Sequence, residues 1–206
     1  MRKFILTILA CLMCSIGWCG IDFDGTDDYV DLGASPTYDT DSSSGTVMMW
    51  VYFDTIASAE SLFGKGGTFS PDGGVWSFQT RNHASCNGGS GIFLGIVSFP
   101  DTQLPAINGI CGTTTALTTG QWYHLAATSN GTAWSLYVNG TNQSISVWTG
   151  SNTGDWFGDP TITGSKFTLG AVFNENAYDA FSDVIISDLT IYNTNQNNTL
   201  GTEPGT

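Results

Sequence analysis

GQWYHLAATSNGTAWSLYVNG, residues 120–140, is the stretch on which the reading of the chain turns. It holds two runs, Trp122–Ser129 and Thr132–Val138, each closed by a turn dipeptide, Asn130-Gly131 and Asn139-Gly140. Asn and Gly tolerate the positive φ that a two-residue hairpin turn demands, so both dipeptides predict tight turns between antiparallel strands. The second run also shows strand parity. Trp134, Leu136 and Val138 share one face, while Ser135 and Tyr137 share the other. Successive side chains on a strand point to opposite sides of a sheet, so the first three mark a core face.

The same pattern extends outward in both directions. Candidate strands are Gly20–Phe23, Tyr29–Leu32, Thr46–Phe53, Ser61–Lys65, Val75–Thr80, Gly91–Phe99, Gln143–Val147, Lys166–Val172 and Val184–Tyr192, separated by Gly, Asn, Asp and Pro. Thr46–Phe53 is apolar on both faces: Val47, Met49, Val51 and Phe53 on one, Met48, Trp50 and Tyr52 on the other. Such a strand belongs in the middle of a sheet. Apolar runs this short, with 26 glycines and much Thr, Ser and Asn, leave no convincing helix. The expectation is an all-β sandwich, and 206 residues with 41% apolar content suit one domain with a sizeable core.

Charge narrows the function. Only 11% of residues are charged, with 18 acids against 5 Lys and Arg. Nucleic-acid binding requires a basic stripe and anionic-lipid docking a polybasic patch, so both classes are disfavoured. The opening residues MRKFILTILACLMCSIGWCG read as an export signal: Arg2 and Lys3, an apolar run from Phe4 to Met13, then small residues that permit cleavage after Gly17 or Cys19. That assigns 1–19 as a signal peptide. A lipoprotein signal at Cys11, after Ile8-Leu9-Ala10, is the alternative. The apolar run is about half of a bilayer span, so no membrane span is expected. Without the signal, Lys65, Arg81 and Lys166 are the only cations beside all 18 acids, a net charge near −15. The predicted location is secreted, extracellular or cell-surface, with the periplasm as a variant. Cys86 and Cys111 then remain, either as a disulfide, worth roughly 3–4 kcal/mol, or as two buried thiols. Residues 194–206 are Asn-, Thr- and Gly-rich and read as a polar tail.

Four segments, in order, resemble a known family. They are IDFDGTDDYVDLG (21–33), GTVMMWVYFD (45–54), the opening stretch 120–140, and KFTLGA (166–171) with ISDLTIYN (186–193). Together they are similar to laminin-G-like, concanavalin A-like lectin-glucanase domains of the pentraxin-like type. The resemblance covers residues 20–193 and implies an all-β, two-sheet antiparallel jelly-roll sandwich, about six or seven strands per sheet. It further implies binding of glycans or proteins, often with a structural calcium ion (Ca2+). Fold alone does not settle function.

Candidate chemistry falls in three places. Asp22, Asp24, Asp27, Asp28 and Asp31 surround Gly25, and hard cations take several oxygen ligands. The resemblance implies a calcium site where first and last strands meet, built from Asp24, Asp27 and Asp188. Here Ser187 stands where many relatives carry Asp. Trp50, Tyr52 and Tyr137 fall on non-core parities and form an expected platform for sugar faces. Trp148, Trp156 and Asp155 border or lie in the long polar stretch Thr149–Gly164, a third candidate for ligand binding.

Catalysis is not expected. Glu60, Glu175 and Glu203 have no spacing that puts two acids on one strand for glycoside hydrolysis. No nucleophile-elbow or zinc spacing occurs. His124 reads as a structural strand residue. Gln79, Arg81 and His83 alternate and resemble the polar rows of alginate-lyase-type jelly rolls, but the Arg-rich and Tyr-Lys strands of those enzymes are missing. The expected function is a secreted recognition module for carbohydrate or glycoconjugate. The alternative is a structural or adhesive display domain on a cell or virion surface, with a protein partner. The negative charge disfavours acidic polysaccharides as ligands unless calcium bridges them.

Overall fold

A computed structural model describes residues 20–33, 43–67, 74–99, 107–157, 164–174 and 177–194. Residues 1–19, expected to be an export signal, and the tail from residue 195 onward lie outside the described residues, as do Asp159, Glu175 and Glu203. Fifteen antiparallel strands and one short 3-10 turn, Asn87–Gly89, make up the regular structure of the described residues. The first large sheet has six strands in the order β1 (Ile21–Asp24), β15 (Asp183–Tyr192), β3 (Gly45–Phe53), β8 (Trp122–Ser129), β9 (Trp134–Val138) and β10 (Thr141–Asn142). The second has seven: β11 (Ile145–Thr149), β7 (Asn108–Gly112), β6 (Phe93–Phe99), β5 (Val75–Arg81), β4 (Ser61–Gly66), β12 (Lys166–Leu169) and β2 (Val30–Gly33). A small hairpin, β13 (Val172–Asn174) with β14 (Ala177–Asp179), stands apart from both.

The core fills the space between the two large sheets, and strand parity decides which side chains enter it. From β3, Val47, Met49, Val51 and Phe53 are fully buried, while Met48, Trp50 and Tyr52 stay half-buried on the other face. Trp134, Leu136 and Val138 of β9 join the same core, as do Phe63, Trp76, Phe78, Ile96 and Ile110 from the second sheet. Each buried aromatic or branched side chain removes enough apolar area to contribute about 1.5–3 kcal/mol, offset by conformational entropy.

The structure keeps one of the two expected turns and departs from the sequence expectations in three places. Asn139-Gly140 is the expected left-handed pair, with φ of 50° and 71°, joining β9 to β10. Asn130-Gly131 is not. Only Gly131 has positive φ, and the Asn130 side chain accepts the Thr132 and Ala133 amides, so the loop is longer and β9 begins at Trp134. The run Lys166–Val172 is not one strand. It breaks at Gly170, where φ is 79° and a Cβ would stand 2.4 Å from the Phe23 ring; only glycine fits that turn. The chain re-emerges as β13. Finally, β7 was not anticipated, because Asn108–Gly112 is too short and glycine-rich to register as a strand.

Hairpin β13–β14 lies over the outer side of β4. A Cβ on Gly64 would meet the Val172 side chain, and one on Gly66 the Phe173 carbonyl. Its far end is tied to the sheet edge by charge. Lys166 Nζ donates to Asp31 Oδ2 at 2.9 Å and to Tyr178 Oη at 2.9 Å, Tyr178 Oη donates to the same Asp31 oxygen at 2.9 Å, and Tyr29 stacks on Tyr178 at 3.7 Å. The Lys166 hydrogen bond, against partial desolvation, holds the Asp31 carboxyl below its usual range. A carboxyl whose folded pKa is lowered stabilises the fold above its unfolded pKa of about 3.9, and that contribution is lost as pH falls through the folded value. Asp31→Asn is therefore expected to flatten the acid limb of stability below about pH 4, read by urea melts from pH 7 to pH 2. Solvent exposure of both partners keeps the change small at pH 7.

Candidate functional site

The face of the seven-stranded sheet turned away from the core gathers the residues best suited to hold a ligand. Its composition follows from register. Phe78, Ile96 and Ile110 lie opposite one another and point inward. Their neighbours Gln79, Gly95 and Cys111 point outward, as do Ser77, Val97 and Gly109. Cys86 and Cys111 form a disulfide, which settles the pairing that the sequence left open. With Phe93 it makes a small apolar cluster on the outer face, and Trp148 packs against that cluster.

Trp148 owes its position to an irregularity. The β11–β7 register shifts between Val147 and Thr149, leaving Trp148 as an extra residue on β11. Bulges of this kind re-aim a side chain. The Nε1–Cε2–Cζ2 edge of the indole then settles over Gly109, where any Cβ would be 2.4 Å away. Arg81, at the end of β5, lies over the ring with its guanidinium carbon 3.6 Å from the centroid, and the His83 ring is 5.7 Å away. Arg81 Nε, Gln79 Nε2 and Trp148 Nε1 are buried donors with no acceptor among the described residues. Burial pushes the Arg81 guanidinium pKa down. Trp148 was legible as a candidate. Arg81 and Gln79 were visible only as an alternating row, and nothing in the sequence paired them with Trp148, because β6 and β7 lie between β5 and β11.

The loop after β11 holds two of the residues expected to bind a ligand. Trp156 is not a binding ring. It is 1% exposed, its ring 5.2 Å from Trp76, and it fills the space that Gly45 leaves open. Asp155 is a scaffold residue. Its carbonyl accepts both the Trp76 and Trp134 indole N–H groups, at 3.1 and 2.7 Å, and its carboxylate accepts Asn108 Nδ2. The loop's apolar residues thus turn inward, and its polar backbone supplies acceptors that two buried indoles require.

The outer face of the six-stranded sheet carries the other aromatic group. Trp50 lies 5.3 Å from His124, and Tyr52 lies 5.6 Å from Trp122, across the β3–β8 pair. All four are half-buried. Tyr137 departs from the expected platform: it is 6% exposed, packed with Ala126 and Met48, and burial pushes its hydroxyl pKa up.

At the end of β1, ligand oxygens of Asp24, Asp27 and Asp28 lie within 4.8 Å of one another, all on exposed residues. Asp24 Oδ1 also accepts the Thr26 amide at 2.8 Å. Asp188 does not join them. Asp24 pairs with Asp183 on β15, and Asp188 lies five residues further along that strand, roughly 16 Å away, so the antiparallel register separates the two. The acids that do stand near this end are Asp183, Asp54 and Asp22. Desolvation, then the charges of Asp183 and Asp22, push the Asp54 carboxyl above its usual range.

Two large antiparallel sheets packed face to face around one core define a jelly-roll sandwich. The chain belongs to the concanavalin A-like lectin/glucanases superfamily, whose family model matches residues 24–198. Similar solved structures include the family 40 carbohydrate-binding module of the Ruminococcus gnavus IT-sialidase (TM-score 0.65, 14% identity, 88% of this chain and 94% of that one). The same module is also known bound to sialyllactose. Domain 4 of AbnA, an extracellular arabinanase of Geobacillus stearothermophilus in complex with arabinotriose, aligns with TM-score 0.55, 20% identity, and 87% and 73% coverage. A SAP-like pentraxin of Limulus polyphemus aligns with TM-score 0.57, 14% identity, and 88% and 79% coverage. At these identities the likeness shows the fold. No curated protein matches the sequence. No helix of the described residues is long and apolar enough to cross a membrane.

Proposed function

We propose that the chain is an exported, non-catalytic module that binds carbohydrate or glycoconjugate on the outer face of its seven-stranded sheet. The observation that carries this reading is the Trp148–Arg81 stack, seated on Gly109 beside the buried amide of Gln79, which has no acceptor among the described residues. Sugars present hydroxyl acceptors and C–H faces, and a fixed indole with spare N–H donors complements both. A structural neighbour that is a carbohydrate-binding module and another in complex with arabinotriose support the same reading. A glycan array probed with protein lacking residues 1–19 tests it. Binding to one or more glycans is expected; silence across the array contradicts it.

The acidic turn serves as a calcium site in this proposal, with Asp24, Asp27 and Asp28 as ligands and Asp188 left out. Three carboxylates in reach of one another, backed by the repelling acids Asp54 and Asp183, suit a hard cation. When bound, the ion would neutralise that charge. Millimolar Ca2+ is expected to raise the melting temperature saturably, and Asp24→Asn with Asp27→Asn to remove the rise; a melt indifferent to Ca2+ and chelator rules the site out.

One observation favours a second reading. Trp50, Tyr52, Trp122 and His124 form a half-buried strip on the six-stranded sheet. Aromatic rings enriched at one surface suit a protein partner, as in a display or adhesive domain.

A further inference from the structure

Arg81 is the electrostatic exception in this molecule. Among the described residues Lys65 is buried and donates to the Phe157 carbonyl, and Lys166 is paired with Asp31. Arg81 has neither a carboxylate nor any other acceptor among them, and its Nε is buried. A guanidinium does not escape burial by losing its proton. Among the described residues the Trp148 ring is what faces this half-buried cation, and an anion arriving from outside would complement its charge.

The surroundings have the matching chemistry. Strands β5, β6, β7 and β11 contain no Asp or Glu, although the chain has 18 acids. Gln79, two residues before Arg81 and on the same face, is 5% exposed with its amide nitrogen lacking an acceptor. Trp148 Nε1 is a third such donor. These four strands therefore offer donors and a positive charge, and no acidic side chain. Stacking on the indole fixes the plane of the guanidinium in advance, so little freedom is lost when its fork is filled.

We propose that Arg81, with Gln79 beside it and Trp148 holding it flat, receives the carboxylate of an acidic sugar. The planar fork matches a carboxylate in bidentate geometry. The proposal rests on the glycan reading and narrows it. It also revises the expectation that acidic ligands are disfavoured. The net charge of −13 repels a dense polyanion, but one carboxylate a few ångströms from Arg81 is governed by the local cation. The ligand class is a short oligosaccharide with a single acidic unit, either a uronic acid or a sialic acid.

Isothermal titration of the protein lacking residues 1–19 with sialyllactose, an aldobiuronic acid, the methyl ester of each, and lactose tests this. At least one acid is expected to bind tenfold or more tighter than its ester, a preference that weakens with salt. Arg81→Gln should abolish the preference, and Arg81→Lys should retain part of it, both with melting temperatures close to the parent protein. Equal affinity for acid and ester, or a preference that survives Arg81→Gln, overturns the assignment while leaving glycan binding intact. If none of these sugars binds and the array is also silent, the glycan reading itself falls and this inference with it.

Discussion

Replacing Trp76 with alanine lowers the unfolding free energy by about 3–5 kcal/mol. Trp76 is fully buried on β5, with Trp156 at 5.2 Å, Phe157 at 4.9 Å and Phe63 at 6.4 Å. Its removal leaves a cavity those rings cannot close, because each is held by its own backbone. It also removes one of two indole donors from the Asp155 carbonyl, loosening the loop that follows β11. Trp76→Phe separates the two effects: it keeps most of the volume and loses the hydrogen bond, for about 1–2 kcal/mol. Urea melts of the three proteins read both numbers. A Trp76→Ala loss under 1 kcal/mol would mean that the two sheets are not joined through this aromatic cluster.

Trp148→Ala is expected to weaken binding of any glycan found on the array by tenfold or more, consistent with the roughly 1–2 kcal/mol or above that a buried aromatic anchor contributes. The loss has two sources: the ring's own contact and N–H, and the freedom returned to Arg81 once its stacking partner is gone. Trp50→Ala and Tyr52→Ala, on the opposite sheet, should leave affinity within twofold. Titration calorimetry of the three variants decides between the faces. The reverse ranking would transfer the site to the six-stranded sheet and favour the second reading. Trp148 lies against the Cys86–Cys111 cluster, so each melt is checked before affinities are compared.

Much of the fold was legible because strand parity is a local property. The alternation in Thr46–Phe53 and in Trp134–Val138 named core residues that are all fully or nearly buried. The residues that misled are those whose placement depends on distant chain. Trp156 looked like a loop aromatic, yet it enters the core because Gly45 leaves room for its indole. Tyr137 had the parity of an outer-face residue and still became covered by Met48. Asp24 and Asp188 both sit where first and last strands pair, and only the register, Asp24 against Asp183, shows that they are far apart.

The candidate site was half legible for the same reason. Trp148 stood out beside a long polar loop. Its re-aiming by a bulge, its seat on Gly109 and its stack with Arg81 all depend on β7, a five-residue strand with two glycines that carries no periodic signal. Arg81 was one of only three Lys and Arg residues beyond residue 19. The sequence could count it but could not show that the other two are engaged.

The most direct test of the central claim is to map a bound glycan on the protein by backbone amide shifts in heteronuclear NMR. The account predicts that saturating glycan perturbs residues of β5, β6, β7 and β11 around Gln79, Arg81, Gly95, Gly109 and Trp148, and leaves β3 and β8 unmoved. Perturbations confined to Trp50, Tyr52 and Trp122, or product sugars accumulating in the tube, would contradict it.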